Sequence, residues 1–259
     1  VTKVTVSKKD LQKFLTGIGK DLPDVRLYCS GSGITAEIAY ASFYLRKTIV
    51  VGPNHPSLVC VISEEGYLHI ADLQKANKFI KAAKSEFIEL RQTATDKPLH
   101  IISGGNKLQI PSTNQIESAA KVPSISKLLV VSEESGWSTF GSVIEFTAHG
   151  TVDATDLTAL GEMRSLVSKE SDFVLRMHPG EQEFGLVAGK MASGRLFTTL
   201  PMTNSEGPNA TVQSKFGEWL PQCLSYLDDA NVRLHMGDNT LVVFEQANTL
   251  MMVVDLAED

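Results

Sequence analysis

The chain has 259 residues, 42% of them hydrophobic, with 24 Lys and Arg against 30 Asp and Glu and a formal net charge of −6. That length supports one large or two medium cores; no run of 18 apolar residues offers a membrane-spanning helix, and "VTKVTVSKKD" lacks the order of a signal peptide, so the expectation is a soluble protein of the cytoplasm, or of the nucleus in a eukaryote. Cys29, Cys60 and Cys223 show no CxxC spacing, which points to reduced, buried thiols and away from a disulfide framework or a zinc site.

The charge is uneven. Residues 1–130 hold 17 Lys and Arg against 11 Asp and Glu, whereas residues 131–259 hold 7 against 19. Two halves of opposite sign imply different surroundings for each.

In chain order, "VSKKDLQKFLTGIGKDLPDVRLYCSGSGITAEIAY" predicts a helix over about 7–20, capped by Ser7, followed by alternating strands around "SGSG". Leu11, Phe14, Leu15 and Ile18 form its apolar stripe, and Lys8, Lys9, Lys13 and Lys20 lie outside it. A second helix is predicted in "DLQKANKFIKAAKS", residues 72–85, capped by Asp72. Leu73, Ala76, Phe79, Ile80, Ala83 and Phe87 make its buried face; Lys75, Lys78, Lys81 and Lys84 make the other, with no Glu at the positions that usually partner surface lysines. Strands follow, separated by "SGGN".

Residues 113–141 are rich in Ser, Thr and Gly around one apolar segment, "ISKLLVV", and read as a connector between an N-terminal domain, 1–112, and a C-terminal domain, 142–259. The second domain restates the first. "VDATDLTALGEMRSLVSKESDFVLRMHPGEQEFGLVAG" (152–189) repeats the helix-then-strands order with Asp153 as cap, and "SKFGEWLPQCLSYLDDANVRLHMGDNTLVVFEQANTLMMVV" (214–254) repeats it with Ser214 as cap. In this alignment Asp96 answers Asp238, Leu99 answers Leu241, Asn106 answers Asn248, and Leu108 answers Leu250. The fold class is therefore α+β, two duplicated domains each with two helices on antiparallel sheets. Arg164, Lys169 and Lys215 are the sparse basic residues on the second-half helices.

Four lysines on one helix without neighbouring carboxylates suit a polyanion, because neutralising phosphates releases counterions and needs no base specificity. No aromatic residues interleave with them, so a duplex backbone fits better than a stacked single strand. Other signals are set aside. The six histidines show no metal-ligand spacing, "GIGK" lacks the full P-loop pattern, and "GSG" is a hairpin turn. Glu133 and Glu134 have no nucleophile or base nearby in sequence, so an enzyme using the connector as a lid is the weakest reading. "NAT" at 209–211 is an accidental sequon, and Trp137 and Trp219 are packing anchors.

Duplicated halves, a long connector and basic helices in an acidic chain resemble the DNA sliding clamps, over essentially the whole sequence. "LQKFLTGIGKDL" and "DLQKANKFIKAAKSEFIELR" are similar to the two inner helices of a clamp's first domain, and "DNTLVVFEQANTLMMVVDLAED" to the ending of eukaryotic, archaeal and T4-type phage clamps. The resemblance implies a ring of six such domains, hence three copies of a two-domain chain, with helices lining a central hole and sheets outside. It implies no catalytic activity and no cofactor. Its partners would be double-stranded DNA without sequence preference, a DNA polymerase, an ATP-driven clamp loader and the chain itself as a homotrimer. Lys13, Lys20, Lys78 and Lys81 fall where the family's inner helices are basic; Lys8, Lys9, Lys75 and Lys84 extend that set from the helical wheel. Partner motifs of the family plug an apolar pocket beneath the connector, and Ile38, Tyr40, Leu128, Val130, Val254 and Leu256 are the candidates by position. The alternative is a non-ring or hetero-oligomeric accessory subunit of the same fold.

Overall fold

In a computed structural model the described residues are 1–19, 22–40, 43–50, 60–112, 122, 129–131, 138–140, 146–162, 172–189, 195–217 and 219–253. The chain divides into two compact units, Val1–Tyr40 with Leu45–Pro123, and Ala41–Tyr44 with Ser124–Asp259.

The first half runs β1 (Thr2–Ser7), α1 (Lys8–Gly17), β2 (Val25–Ser30), β3 (Gly33–Ala39), β4 (Phe43–Val50), β5 (Cys60–Glu64), β6 (Gly66–Ile70), α2 (Leu73–Ala82), β7 (Phe87–Gln92), β8 (Leu99–Ser103) and β9 (Asn106–Ile110). Its strands lie in the orders β5-β1-β7-β8-β9 and β4-β3-β2-β6. Alternation of buried and exposed residues puts Val4, Val6, Ile88, Leu90, Leu99 and Ile101 on the inner face, where α1 packs against β1 and β7, while α2 packs against α1 and β9.

The second half opens with a short pair, β10 (Leu129–Val131) and β11 (Ser138–Phe140), formed on part of the apolar connector segment. It continues β12 (Ala148–Asp153), α3 (Ala154–Glu162), β13 (Phe173–His178), a 3-10 turn (Pro179–Glu181), β14 (Glu183–Ala188), β15 (Leu196–Pro201), β16 (Thr203–Glu206), β17 (Val212–Phe216), α4 (Trp219–Leu224), β18 (Asn231–Met236), β19 (Val242–Gln246) and β20 (Thr249–Val253). The orders β16-β12-β18-β19-β20 and β15-β14-β13-β17 reproduce those of the first half strand for strand. The duplication expected from sequence is thus present as topology, in an α+β fold of antiparallel sheets.

Several details differ from expectation. The N-terminal "TKVTVS" is a strand, β1, paired on both sides. Helix α2 stops at Ala82: Ala83 is already extended (φ −60, ψ 137), and Phe87, expected in the helical stripe, opens β7 and is exposed. The period-2 pattern of "FIELRQ", with Ile88, Leu90 and Gln92 buried, takes the chain out of the helix. Ser214 caps nothing, because it is buried in strand β17, donating to the Gly237 carbonyl and accepting from the Thr240 amide. The hairpins close at Ser103–Asn106 and Gln246–Thr249, so the counterpart of Asn106 is Thr249, one residue past Asn248. Ser7, Asp72 and Asp153 do cap: they accept from the amides of Asp10, Lys75 and Thr155 at 3.2, 2.8 and 2.7 Å.

Candidate nucleic-acid interface

Helices α1 and α2 pack side by side. Leu11, Phe14 and Leu15 are buried beneath α1, and Leu73, Ala76 and Ile80 beneath α2. What remains outward is set by the 3.6-residue period: Lys9 and Lys13 on α1, and Lys75, Lys78 and Lys81 on α2, are all exposed. Among the described residues none of these five ammonium groups has a carboxylate within ion-pair distance. The outward surface of the helix pair is therefore uncompensated positive charge.

Lys8 and Lys84 fall outside that surface. Lys8 is half-buried and donates to the Ala83 carbonyl at 2.6 Å, where it satisfies the end of α2 and complements the negative end of its dipole. Lys84 lies beyond the end of α2, two residues past Ala82 and just before the bend that leads into β7, although it is exposed. A device of the same kind closes α1, whose last turn carries no basic residue: buried Lys47 on β4 reaches the Gly17 carbonyl at 3.5 Å. Nothing in local sequence marks Lys47, because its partner lies 30 residues away.

Among the described residues the helices of the second half do not match this charge. Helix α3 carries Asp156 and Glu162 and no basic residue, and α4 carries no charge at all. Lys215, expected on a helix, lies on β17 and pairs with Asp172 at 3.2 Å. Its topological counterpart is His69 on β6, which faces Asp24 at 3.4 Å, so in both halves a nitrogen-bearing side chain and a carboxylate meet at the same two positions. Lys215 thus serves the sheet. Lys20, Arg164 and Lys169 lie outside the described residues.

Of the six apolar partner candidates, Ile38 is fully buried on the inward face of β3 with Ile34 and Ala36, and so belongs to the core. Tyr40 is half-buried just past the end of β3. Val130 lies on β10 opposite Thr139. Leu128, Val254 and Leu256 lie outside the described residues. Among the described residues no three His, Cys, Asp or Glu side chains gather as a metal site, and no helix is long and apolar enough to cross a membrane.

No protein-family model matches the sequence, and no characterised protein matches it in sequence. Solved structures do match in fold. The chain superposes on Archaeoglobus fulgidus PCNA, solved with the C-terminal region of FEN-1, at TM-score 0.67 and 14% identity over 100% of each chain. Entamoeba histolytica PCNA matches at TM-score 0.68 and 13% identity over 99% of each. The Streptococcus pneumoniae DNA polymerase III beta chain matches at TM-score 0.70 and 11% identity, covering 100% of this chain and 66% of that one. A Helicobacter pylori beta clamp bound to a DNA ligase peptide matches at TM-score 0.66 and 14% identity, covering 99% and 67%. The chain therefore has the DNA-clamp fold, and it spans about two thirds of the length of the bacterial beta clamps it matches.

Proposed function

We propose that this chain is the protomer of a DNA sliding clamp: three copies close a ring of six domains around duplex DNA and hold a polymerase and other replication proteins there. Residues 1–112 and 142–259 are the two clamp domains and 113–141 the connector between them. The observation that carries this reading is the exposed surface of Lys9, Lys13, Lys75, Lys78 and Lys81, none ion-paired among the described residues, on a clamp fold. Such a surface attracts phosphates without reading bases, and long lysine side chains tolerate the loose, water-bridged contacts that sliding requires. The protein acts as a scaffold, with an ATP-driven loader opening the ring.

Two of the similar clamps were solved with partner segments, a DNA ligase peptide and the C-terminal region of FEN-1. By analogy we assign peptide docking to Tyr40, Leu128, Val130, Val254 and Leu256, leaving out the buried Ile38.

The test is primer extension on a circular template with the polymerase and loader of the same source. Lys78→Glu with Lys81→Glu should leave folding and oligomer mass unchanged and abolish loader-dependent processive synthesis. Unaffected synthesis would mean that the helices do not face DNA. A second reading, a hetero-oligomeric subunit whose partners supply the missing charge, is favoured by the absence of basic residues on α3 and α4. It expects the isolated chain to be a monomer by light scattering.

A further inference from the structure

On the sheet of the second unit, His149 of β12 and His235 of β18 are directly opposed across the strands, and both are fully buried. Their Nδ1 atoms are 2.8 Å apart. The outer nitrogens also have partners: His149 Nε2 lies 3.1 Å from the Phe146 carbonyl, and His235 Nε2 lies 3.0 Å from the Glu245 carboxylate on β19.

Counting protons across this row fixes its charge. Both terminal partners are acceptors, so each Nε2 must carry a hydrogen; the Nδ1–Nδ1 contact needs one more, since two bare lone pairs at that distance repel. Three protons on two imidazoles is one more than two neutral rings hold. We propose that His149 and His235 form a buried proton-binding pair, carrying a single positive charge against Glu245, that locks β12, β18 and β19 together only while the extra proton is bound.

The duplicated fold supplies an independent argument. His149 is the second residue of β12 and His235 the fifth of β18; the same places in β1 and β7 are held by Lys3 and Arg91, also directly opposed. There too a carboxylate answers the cations, with Glu89 at 3.1 Å from Lys3. The first unit thus carries fixed charge at the position where the second carries titratable charge.

Two further charged groups face the pair: Glu206 on β16 lies directly opposite His149 across the strands, and the Arg233 charge on β18 acts on His149 and disfavours a second proton there. Glu206 on β16 pairs with Arg233 on β18 at 3.8 Å, Lys215 on β17 pairs with Asp172, and Glu181 in the turn against β12 is exposed. The aromatic ring of Phe146 lies beside His235, with centroids 6.3 Å apart. Losing the shared proton leaves either the nitrogen pair, which is fully buried, or the contact with the partly exposed Glu245 carboxylate without a hydrogen.

The experiment is nitrogen NMR of the whole chain labelled at histidine. At neutral pH one buried ring should show both nitrogens protonated and its neighbour a single proton on Nε2; two neutral rings would overturn the proposal. Glu245→Gln should lower the proton affinity of the pair at least tenfold, shifting its titration to lower pH. An unchanged titration in that variant would equally overturn it, and the wild-type spectrum decides the matter even if the variant folds poorly.

Discussion

Gly150 on β12 has no side chain because Met202 occupies the space: a Cβ added there would lie 2.0 Å from the Met202 sulfur, which is itself buried. Gly150→Ala must push that side chain out of its packing, and overfilled cores of this kind lose about 1–3 kcal/mol. Urea denaturation of the variant should show that loss with an unchanged slope. At His149, burial first and the charge of His235 second lower the pKa from 6.5 to about 4. A histidine whose folded pKa is depressed binds fewer protons folded than unfolded between those values, so its contribution is intact above pH 6.5 and lost as pH falls toward 4. One proton per unfolding event amounts to about 1.4 kcal/mol per pH unit. Below pH 6.5 only the second proton of the pair is at issue, so denaturation midpoints measured at pH 6, 5.5 and 5 should fall accordingly, and His149→Gln should flatten that fall while lowering stability at pH 6.5. The exposed lysines could be read from sequence because helical spacing alone defines their face. The histidine pair could not, since its members are 86 residues apart and meet only through strand register.

Helix α2 shows why element starts are easier to read than ends. Asp72 announces the start by chemistry, its carboxylate accepting from the Lys75 amide, and Asp72→Ala should cost about 1 kcal/mol of stability, measurable as a shift in the urea midpoint. The end carries no such local mark. It is held by Lys8, 75 residues earlier, and the alternation of the next strand competes for Phe87. Lys8→Met keeps the packing stem and removes the cap, so it should destabilise by about 0.5–1.5 kcal/mol while leaving DNA retention by the ring unchanged; a loss of retention at full stability would return Lys8 to the DNA surface. Helix α4 starts later than its expected Ser214 cap for a related reason. Its six residues, "WLPQCL", are too few to display a helical period, whereas Ser214 ahead of an apolar run imitates a cap. Buried Val212, Ser214 and Phe216 alternate as a strand does, and tertiary burial decided in favour of β17.

At the scale of the whole molecule, duplication makes the two halves topologically alike but leaves different edges available. Among the described residues β9 ends the five-stranded order of the first half and β15 ends the four-stranded order of the second, each with one side unpaired. Exposed edges are a liability unless something covers them, and these two belong to different sheets, so a contact joining β9 of one copy to β15 of the next would be head-to-tail. Head-to-tail contacts close into rings when the rotation per copy allows it, which is the assembly proposed here. Phe197 on β15 is 64% exposed, the most exposed large apolar side chain among the described residues, as expected of a surface that a neighbour covers. Phe197→Glu places a charge there without touching the core. Light scattering at micromolar concentration should give about three times 28.2 kDa for the unaltered chain and 28.2 kDa for the variant, with unchanged circular dichroism. An unaltered chain that is itself a monomer would remove the homotrimer and leave the hetero-oligomeric reading; a variant that still trimerises would move the interface away from β15.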